Sequence, residues 1–221
     1  MKAGAPASTS LRGSPGSSDT VYFGVLNMRV LSSGAAELIR VRSSGAARPF
    51  LVALDGRSGA GKSTLARAVA GVLDGAVIES DDFYAGGTGL RSDSAGSRAS
   101  ACIDWSRQRQ VLEDLAAGRP AQWRAFDWEA FDGRLREAPT ILEPRPVVIL
   151  EGVYSARPEL ADLLDLRLLL SVPEEVRLRR LTDREGTIGP WERQWHEAEA
   201  YYFEYIMPIT RFDAVVQESG G

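Results

Sequence analysis

The 221-residue sequence contains few of the residues that build several common kinds of site. Cys102 is the only cysteine and His196 the only histidine, so one chain can form neither an internal disulfide nor a zinc site made of cysteines and histidines. A Ser-His-Asp triad would depend on His196 alone. Lysine is scarce as well, because only Lys2 and Lys62 among the 26 basic residues are lysines.

Long apolar runs and an excess of positive charge are also missing. No run approaches the ~18 to 20 residues that cross a bilayer, and the first 20 residues have no apolar signal-peptide core. The formal net charge of −4 argues against a general nucleic-acid binder, which needs a basic surface. We therefore expect a cytoplasmic protein that binds neither membrane nor nucleic acid. The sequence leaves open whether it forms a homo-oligomer.

The chain divides into an extension and one domain. Residues 1–20 are mostly Ser, Gly, Ala and Pro, a composition that cannot offset the entropy of ordering. We predict a disordered N-terminal extension over 1–27 and a single domain over 28–221, with its core at about 49–217. A short helix is expected at 35–42, on the edge of the domain.

From Pro49 onward, short apolar runs alternate with helical patterns, which is typical of βαβ units around a parallel sheet. This predicts a doubly wound α/β fold with a central sheet of about five strands. A hairpin is expected across 124–134, with Asp132-Gly133 as its turn. The predicted strands are 50–54, 76–79, 147–150, 166–171 and 213–217. The predicted helices are 62–73, 106–117, 158–164, 174–184 and 190–206.

A phosphate-binding motif follows the first predicted strand. The segment 56–64 matches GxxxxGK[ST] in the strand-loop-helix context that the motif requires. Its backbone N–H groups and the following helix N-terminus can cradle phosphates, Lys62 can reach the β- and γ-phosphates, and Ser63 can bind Mg²⁺. The predicted ATP-binding residues here are Gly56, Ser58, Gly59, Ala60, Gly61, Lys62, Ser63 and Thr64.

A second acidic anchor is Glu151, which ends the apolar strand 147–150. Ligands gather at the carboxyl ends of strands in doubly wound sheets, so Glu151 is expected to face the phosphate loop. We assign it to Mg²⁺, held directly or through water.

The remaining motifs favour a kinase over a hydrolysing switch. Guanine-specific switches carry an Asn-Lys-x-Asp motif, which cannot exist here because no lysine follows Lys62. A kinase needs a carboxylate that orients or deprotonates the acceptor hydroxyl, and Asp81 and Asp82 lie just past the second predicted strand. A solvated turn is the alternative for this pair.

At Asp81-Asp82-Phe83-Tyr84 the sequence resembles the uridine kinase and phosphoribulokinase branch of P-loop kinases, over roughly 49–217. The resemblance implies that Asp81 is the catalytic base, and an Asp at the variable position 82 could help to organise Mg²⁺. Tyr84 is assigned to the acceptor site. The resemblance also implies that Asp104 binds ribose hydroxyls, although Asp104 serves equally well as a helix N-cap.

Three arginines on the helix 174–184 form a predicted lid. Arg177, Arg180 and Arg184 recur at i, i+3 and i+7, which places them on one face. They resemble the lid arginines of the family, which implies that Arg177 and Arg180 act in catalysis and Arg184 binds ATP. The alternative is a solvated face paired with neighbouring acidic residues.

The predicted hairpin departs from the resemblance. Uridine kinases use a Tyr and a His there to read the pyrimidine, whereas this chain has Phe126 and Phe131. Stacking of a substrate ring on Phe126 or Trp128 remains open, and so does a role in the hairpin core. Trp191 and Trp195 have a roughly helical spacing that predicts a packing stripe.

Together these features predict a P-loop nucleoside triphosphate hydrolase fold of the nucleoside kinase type. The expected reaction passes the γ-phosphoryl group of Mg-ATP to a small-molecule acceptor, with a nucleoside as the leading candidate. The alternatives are a kinase of another alcohol, such as a sugar, a vitamin precursor or an antibiotic, and a non-catalytic ATP-binding module.

Overall fold

A central parallel sheet organises the chain in a computed structural model that describes residues 21–25 and 28–218. The six strands lie in the order β1-β8-β7-β2-β6-β3, and every neighbouring pair is parallel. The strands of this sheet are β1 (Val21–Val25), β2 (Phe50–Asp55), β3 (Ala76–Glu79), β6 (Val147–Glu151), β7 (Leu166–Ser171) and β8 (Ala214–Glu218). A separate antiparallel pair consists of β4 (Ala121–Trp123) and β5 (Thr140–Leu142).

Six α-helices accompany the sheet in the described part of the chain. They are α1 (Met28–Ser43), α2 (Lys62–Leu73), α3 (Ala95–Ala101), α4 (Trp105–Ala116), α5 (Glu174–Glu185) and α6 (Pro190–Tyr201), the last of which continues as a π-turn (Tyr202–Ile206). No helix among these residues is long and apolar enough to span a bilayer.

Burial on both faces explains the continuous apolar runs in the central strands. All six residues of β2 and all five of β6 are buried, as expected where helices cover both sides of a parallel sheet. Successive residues of β2 point to opposite faces, so Leu51 and Ala53 join one core cluster while Val52 and Leu54 join the other. The sheet therefore separates two hydrophobic cores.

The predicted doubly wound parallel sheet is confirmed, and its edge holds one strand more than expected. Residues 21–25 fall within the extension predicted to be disordered, but they pair with β8 in register, with Val21 opposite Ala214. The predicted disorder of residues 1–20 lies outside the described residues. Helix α1 is longer than the expected 35–42.

Two further elements differ from the prediction. The helix expected at 158–164 is wrong, since only a 3-10 turn (Pro158–Leu160) forms before the backbone N–H of Asp165 joins Leu51 at the start of β7. Leu163 N and Leu164 N still donate to Leu160 O, so the segment turns without forming a regular helix. Helix α3 has no counterpart among the predicted helices, and Ser94 caps it by accepting a hydrogen bond from Ser97 N.

The predicted hairpin exists and is longer than expected. The β4–β5 ladder forms the base of the hairpin, where the chain enters and leaves it. An isolated bridge joins Phe126 to Leu135 nearer the tip. Backbone hydrogen bonds from Asp127 N to Arg134 O and from Arg136 N to Ala125 O complete the tip. The hairpin therefore projects its aromatic residues from 126 to 131 as one unit.

The sheet topology brings the predicted site together. Strand β2 lies between β6 and β7, and β3 pairs with β6. Because parallel strands end at the same edge, the segments that follow β2, β3 and β6 are neighbours. These segments carry the phosphate loop, Asp81 and Glu151.

Candidate active site

A cleft of about 830 Å³ opens at the carboxyl edge of the sheet. Most of its walls come from the phosphate loop, the turn after β3, the end of β6, the hairpin, α5 and α6. The lining residues include Ser58, Gly59, Gly61, Lys62, Ser63, Thr64, Glu79, Asp81, Asp82, Phe126, Trp128, Phe131, Arg136, Glu151, Arg180, Arg184, Trp191, Trp195 and His196.

Glycine is required at two places where the phosphate loop turns. Gly59 has φ +82°, and a Cβ atom there would lie 2.8 Å from the backbone oxygen of Arg177. Gly61 has φ +98° and stands at the N-cap of α2. Both values fall in the left-handed region that favours glycine. The loop can therefore curl tightly between β2 and α2, and the N-terminus of α2 faces the cleft.

Lys62 lies at the base of the cleft, where it is only 8% exposed. Its ammonium donates a hydrogen bond to the backbone oxygen of Arg57, 3.2 Å away, on the other side of the loop. A lysine ammonium at the base of the cleft is placed to bind an anion there.

Glu151 ends β6 beside Lys62. Burial raises the pKa of its carboxyl to about 7, and the nearby charge of Lys62 and a hydrogen bond from the Ser63 hydroxyl oppose that rise. In the described chain no cluster of three or more Asp, Glu, His or Cys side chains could hold a metal by itself. This donor set suits Mg²⁺, which commonly binds through one or two carboxylates while phosphates and water fill its other positions.

Asp55, which the sequence analysis missed, supports the start of the phosphate loop. Its fully buried carboxylate accepts hydrogen bonds from Gly56 N (2.8 Å), Ala156 N (3.0 Å) and the hydroxyl of Tyr202 (2.8 Å). Burial raises the pKa of Asp55 to about 6, although each of these bonds favours the charged form. Its position at the end of the apolar run of β2 was the available signal.

Asp81 opens onto the cleft from the 3-10 turn (Ser80–Phe83) that follows β3. Desolvation raises the pKa of its carboxyl, and the charge of Lys62 opposes that rise. The turn packs closely on the residue after β6: a Cβ atom on Gly152 would lie only 2.5 Å from the Cβ of Ser80. This close approach sets Asp81 near Glu151.

Asp82 lines the cleft, but its carboxylate has a partner. The indole Nε1 of Trp123 donates to Asp82 Oδ2 at 2.8 Å, and Phe126 N donates to the backbone oxygen of Asp82 at 2.8 Å. Desolvation raises the pKa of Asp82, and the bond from Trp123 lowers it. Asp82 thus anchors the hairpin beside Asp81, and its predicted part in Mg²⁺ binding stays a prediction.

The three lid arginines do not share one environment. Arg180 and Arg184 line the cleft, and Arg180 donates to the backbone oxygen of Ala60 at 3.1 Å. Arg177 is 3% exposed and is absent from the cleft lining; it donates to the backbone oxygen of Ser58 at 3.2 Å and pairs with Glu174. The expectation that Arg177 faces the phosphates with the other two is therefore corrected: it supports the loop from behind.

Ser58 also differs from its predicted role. Its amide and its hydroxyl both donate to one carboxylate oxygen of Glu199, at 2.9 and 2.6 Å. The polar groups that the motif assigned to ATP therefore bind helix α6. Glu199 lies 141 residues away in sequence, so no local pattern could have indicated it.

An aromatic wall lines the cleft and consists of Phe126, Trp128, Phe131, Trp191 and Trp195. The rings of Trp128 and Phe131 stack at 6.0 Å, those of Trp191 and Trp195 stack at 5.9 Å, and Phe131 meets Trp191 edge-on at 5.3 Å. The helical spacing of the two α6 tryptophans predicted packing, and the structure shows that they also line the cleft.

Two predicted acceptor residues lie elsewhere. Tyr84 is 5% exposed behind the aromatic wall, where its hydroxyl donates to Gly87 O at 2.6 Å. Asp104 is the N-cap of α4 and accepts from Arg107 N at 3.3 Å. Neither belongs to the cleft lining, so the geometry lends no support to their assignment to the substrate, which stays a prediction. Four further residues line it without having been predicted from the sequence, namely the charged Glu79, Arg136 and Glu192, and the histidine His196.

Comparison with known proteins identifies the family of this site. The model of the phosphoribulokinase / uridine kinase family matches residues 51–218, which is most of the chain and includes the whole cleft. The chain belongs to this family. It is thus an ATP-dependent kinase that phosphorylates a small alcohol.

Curated members of the phosphoribulokinase / uridine kinase family resemble the chain over most of its length. It is 27% identical over 191 residues to a uridine kinase of Deinococcus deserti, covering 80% of this chain and 91% of that relative. A uridine kinase of Lactiplantibacillus plantarum is 25% identical over 188 residues, covering 78% and 88%.

Solved structures share the fold of this family member. A structure described as a possible uridine kinase from Bacillus stearothermophilus has a TM-score of 0.64 at 21% identity, covering 85% of this chain and 98% of that one. The D-glycerate 3-kinase of Cryptococcus neoformans has a TM-score of 0.59 at 12% identity, covering 85% and 95%. At such identities the likeness establishes the fold.

Proposed function

We propose that this kinase transfers the γ-phosphoryl group of Mg-ATP to a hydroxyl of a nucleoside. The observation that carries the proposal is the composition of one cleft, which is lined by the phosphate loop, Asp81 and the aromatic wall together. A nucleoside combines a flat ring, which can stack on aromatic side chains, with sugar hydroxyls that can accept a phosphoryl group. The curated relatives named as uridine kinases support the same class.

The phosphate loop and the charged residues around it would hold the donor. Backbone N–H groups from 59–64 and the ammonium of Lys62 would bind the phosphates, and the guanidinium groups of Arg180 and Arg184 would offset charge on the transferring group. Ser63 and Glu151, which are hydrogen-bonded to each other, would hold Mg²⁺ directly or through water. The ion would neutralise phosphate charge during transfer.

Asp81 would act on the acceptor. It lies in the cleft between the phosphate loop and the hairpin, and desolvation raises the pKa of its carboxyl, which makes it a better proton acceptor. Asp81 would orient the hydroxyl for in-line attack and take its proton as the new O–P bond forms and the bond to the leaving ADP oxygen breaks.

Ring stacking, rather than a hydrogen-bonded base edge, would select the nucleoside. Phe126 and Phe131 offer faces and no polar tip, so recognition of a particular base edge by these two positions is absent. Broad acceptance of bases is therefore expected, with discrimination left to polar residues such as Glu79 and Arg136 at the cleft margin.

The test is a substrate panel read by ADP release with Mg-ATP. Nucleosides are compared with sugars and hydroxy acids, and a kcat/KM for several nucleosides above all other alcohols is expected. Trp128→Ala should raise KM for the best nucleoside about two- to tenfold, as stacking losses of about 0.5–1.5 kcal/mol imply. Trp105→Ala is the matched control, because Trp105 starts α4 and is absent from the cleft lining.

A second acceptor class has its own observation. Arg136 places a guanidinium at the acceptor side of the cleft, and guanidinium groups recognise carboxylates. The D-glycerate 3-kinase with the same fold phosphorylates a hydroxy acid by its name. If hydroxy acids turn over faster than every nucleoside and Arg136→Ala removes that preference, this second class replaces the nucleoside. ATP binding with no turnover on any alcohol would support a binding module instead.

A further inference from the structure

Helix α6 contacts the phosphate loop through two side chains that lie one helical turn apart. Trp195 Nε1 donates to the hydroxyl of Ser58 at 3.0 Å, and that hydroxyl donates to Glu199 Oε2 at 2.6 Å. The three residues form a chain of hydrogen bonds that begins at the aromatic wall and ends inside the protein. Trp195 and Glu199 are four residues apart, so their side chains share one helix face.

Glu199 is the centre of this arrangement. Its side chain has no exposed surface, and it accepts from Ser58 N at 2.9 Å and from Arg57 Nε at 3.0 Å in addition to the Ser58 hydroxyl. The guanidinium of Arg177 lies 3.8 Å away. A carboxylate buried to this degree is costly unless it is paired and hydrogen-bonded, and these donors supply both. The bonds restrain two consecutive residues of the phosphate loop.

The position of Ser58 within the loop makes this restraint consequential. Ser58 precedes Gly59, whose left-handed backbone starts the tight part of the curl. Arg57 and Ser58 also present the backbone oxygens that accept from Lys62 and Arg177. A shift of Ser58 would therefore displace Gly59 and the acceptor of Lys62 together.

We propose that Glu199 and Trp195 are positioning residues of the phosphate loop, through which helix α6 holds Ser58 in the shape that binds nucleotide phosphates. The proposal rests on the proposed function only for nucleotide binding. It makes α6 part of both halves of the cleft, because the Trp195 ring lies in the aromatic wall while its N–H reaches the loop. The ring and the N–H can be separated by substitution.

The experiment measures the affinity of the whole chain for Mg-AMP-PNP by titration calorimetry, without an acceptor. In Glu199→Gln, an amide N–H₂ replaces one acceptor oxygen opposite the donors of Arg57 and Ser58, and affinity should fall about tenfold or more. Trp195→Phe keeps a ring in the wall and loses the N–H. Ser58→Ala loses the hydroxyl. Each of these two should weaken binding about three- to tenfold.

Two matched controls separate positioning from general damage. Glu197→Gln makes the same change on the same helix at an exposed carboxylate paired with Arg98, and should bind within twofold of wild type. Trp105→Phe makes the same ring change on α4, at an indole that is absent from the cleft lining, and should also stay within twofold. Melting temperatures are recorded for every variant.

The double variant Trp195→Phe/Ser58→Ala supplies a result that lost stability alone would not produce. If both side chains act through one hydrogen bond, the nucleotide affinity of the double variant should be no lower than that of whichever single variant has the lower affinity. Additive losses would overturn the proposed chain. So would affinities within twofold of wild type for Ser58→Ala and Trp195→Phe, whatever happens to the folding of Glu199→Gln. The titration contains no acceptor, so these affinities can be interpreted even if the protein does not phosphorylate nucleosides.

Discussion

The two halves of the cleft are built in different ways. The donor half, which comprises the phosphate loop with Ser63 and Glu151, is mostly one contiguous segment that binds through its backbone. The acceptor half, which comprises Asp81 and the aromatic wall, draws its rings from a hairpin and from α6, more than 50 residues later in the chain. The conformation of the phosphate loop is set by its glycines and the start of α2, so a short sequence motif predicts it. The aromatic wall is assembled from segments distant in sequence, so no short motif predicts it.

This difference matters for substrate identity. A phosphate loop serves any acceptor, because it contacts only the nucleotide. The acceptor half decides the substrate, and the sequence predicts that it departs from uridine kinases at the two hairpin positions occupied by Phe126 and Phe131. Substitutions in the two halves test this division, beginning with the largest expected effect.

The largest effect is expected at Lys62, in the donor half. Lys62→Ala should lower turnover by roughly 10³-fold or more, since the ammonium neutralises phosphate charge in the transition state. The melting temperature should change little by comparison. Turnover near that of wild type in a folded variant would remove Lys62 from the site.

The next effect belongs to the acceptor half. Asp81→Asn should lower kcat by roughly 10²-fold or more and leave ATP affinity within a few-fold, because a base acts on the acceptor. Asp82→Asn should be milder in kcat, since the Asp82 carboxylate holds Trp123. The measurement is steady-state kinetics on both variants. A reversed order of severity would assign the base to Asp82.

The arginines of α5 test where the donor half ends. Arg180→Ala and Arg184→Ala should each lower kcat about tenfold, and Lys should not rescue either, because an ammonium cannot form a bidentate fork. Arg177→Ala should instead lower stability by about 1–3 kcal/mol, because a buried hydrogen-bonded guanidinium is lost. Kinetics and melting curves together distinguish the two behaviours. Equal kinetic effects of all three would restore Arg177 to the lid.

The smallest effect is a pH dependence of Mg²⁺ binding. With the pKa of Glu151 at about 7, protons compete with Mg²⁺ below that pH, so the apparent KM for Mg²⁺ should fall up to about tenfold from pH 6 to pH 8. ATP also titrates in this range, so Glu151→Gln, which cannot titrate, is the control. An identical pH profile in the two proteins would exclude Glu151 as the titrating group.

The raised pKa of Glu151 also affects folding, with a definite sign. The native state holds its proton more tightly than the unfolded chain, whose Glu pKa is near 4.5. Its contribution is therefore present below about pH 4.5 and is lost as the pH rises through about 7. Glu151→Gln should reduce the loss of stability over that interval, as seen in unfolding curves without nucleotide.

Much of the fold followed from the sequence because the buried strands are apolar throughout and the phosphate loop has a unique pattern. Strands β3 and β7 and helix α2 have the predicted limits. Strand β1 was missed because an edge strand depends on its partner, here β8, rather than on its own pattern. Helix α3 was missed because small and polar residues give a weak helical period, although Ser94 was a capping signal.

Within the site, the residues of the phosphate-loop motif and those at strand ends were predictable from the sequence. Residues whose role depends on a contact with a distant part of the chain were not. Glu151 and Asp81 were placed by the rule that ligands gather at strand ends. Tyr84 and Asp104 were assigned to the acceptor, but in the structure Tyr84 lies behind the aromatic wall with its hydroxyl bonded to Gly87 O, and Asp104 is the N-cap of α4. Nothing near Glu199 in sequence indicates that it contacts Ser58.

The edge strand β1 also bears on how long an expressed chain must be. A shorter chain that starts at Met28 would lose residues 21–25 and leave one side of β8 with unpaired backbone N–H and C=O groups. Apolar strands with open edges recruit other chains. Such a product should bind nucleotide, since the cleft lies on other strands, yet precipitate at concentrations where the full chain stays dispersed. Solubility, rather than activity, would then be the property lost with the first strand.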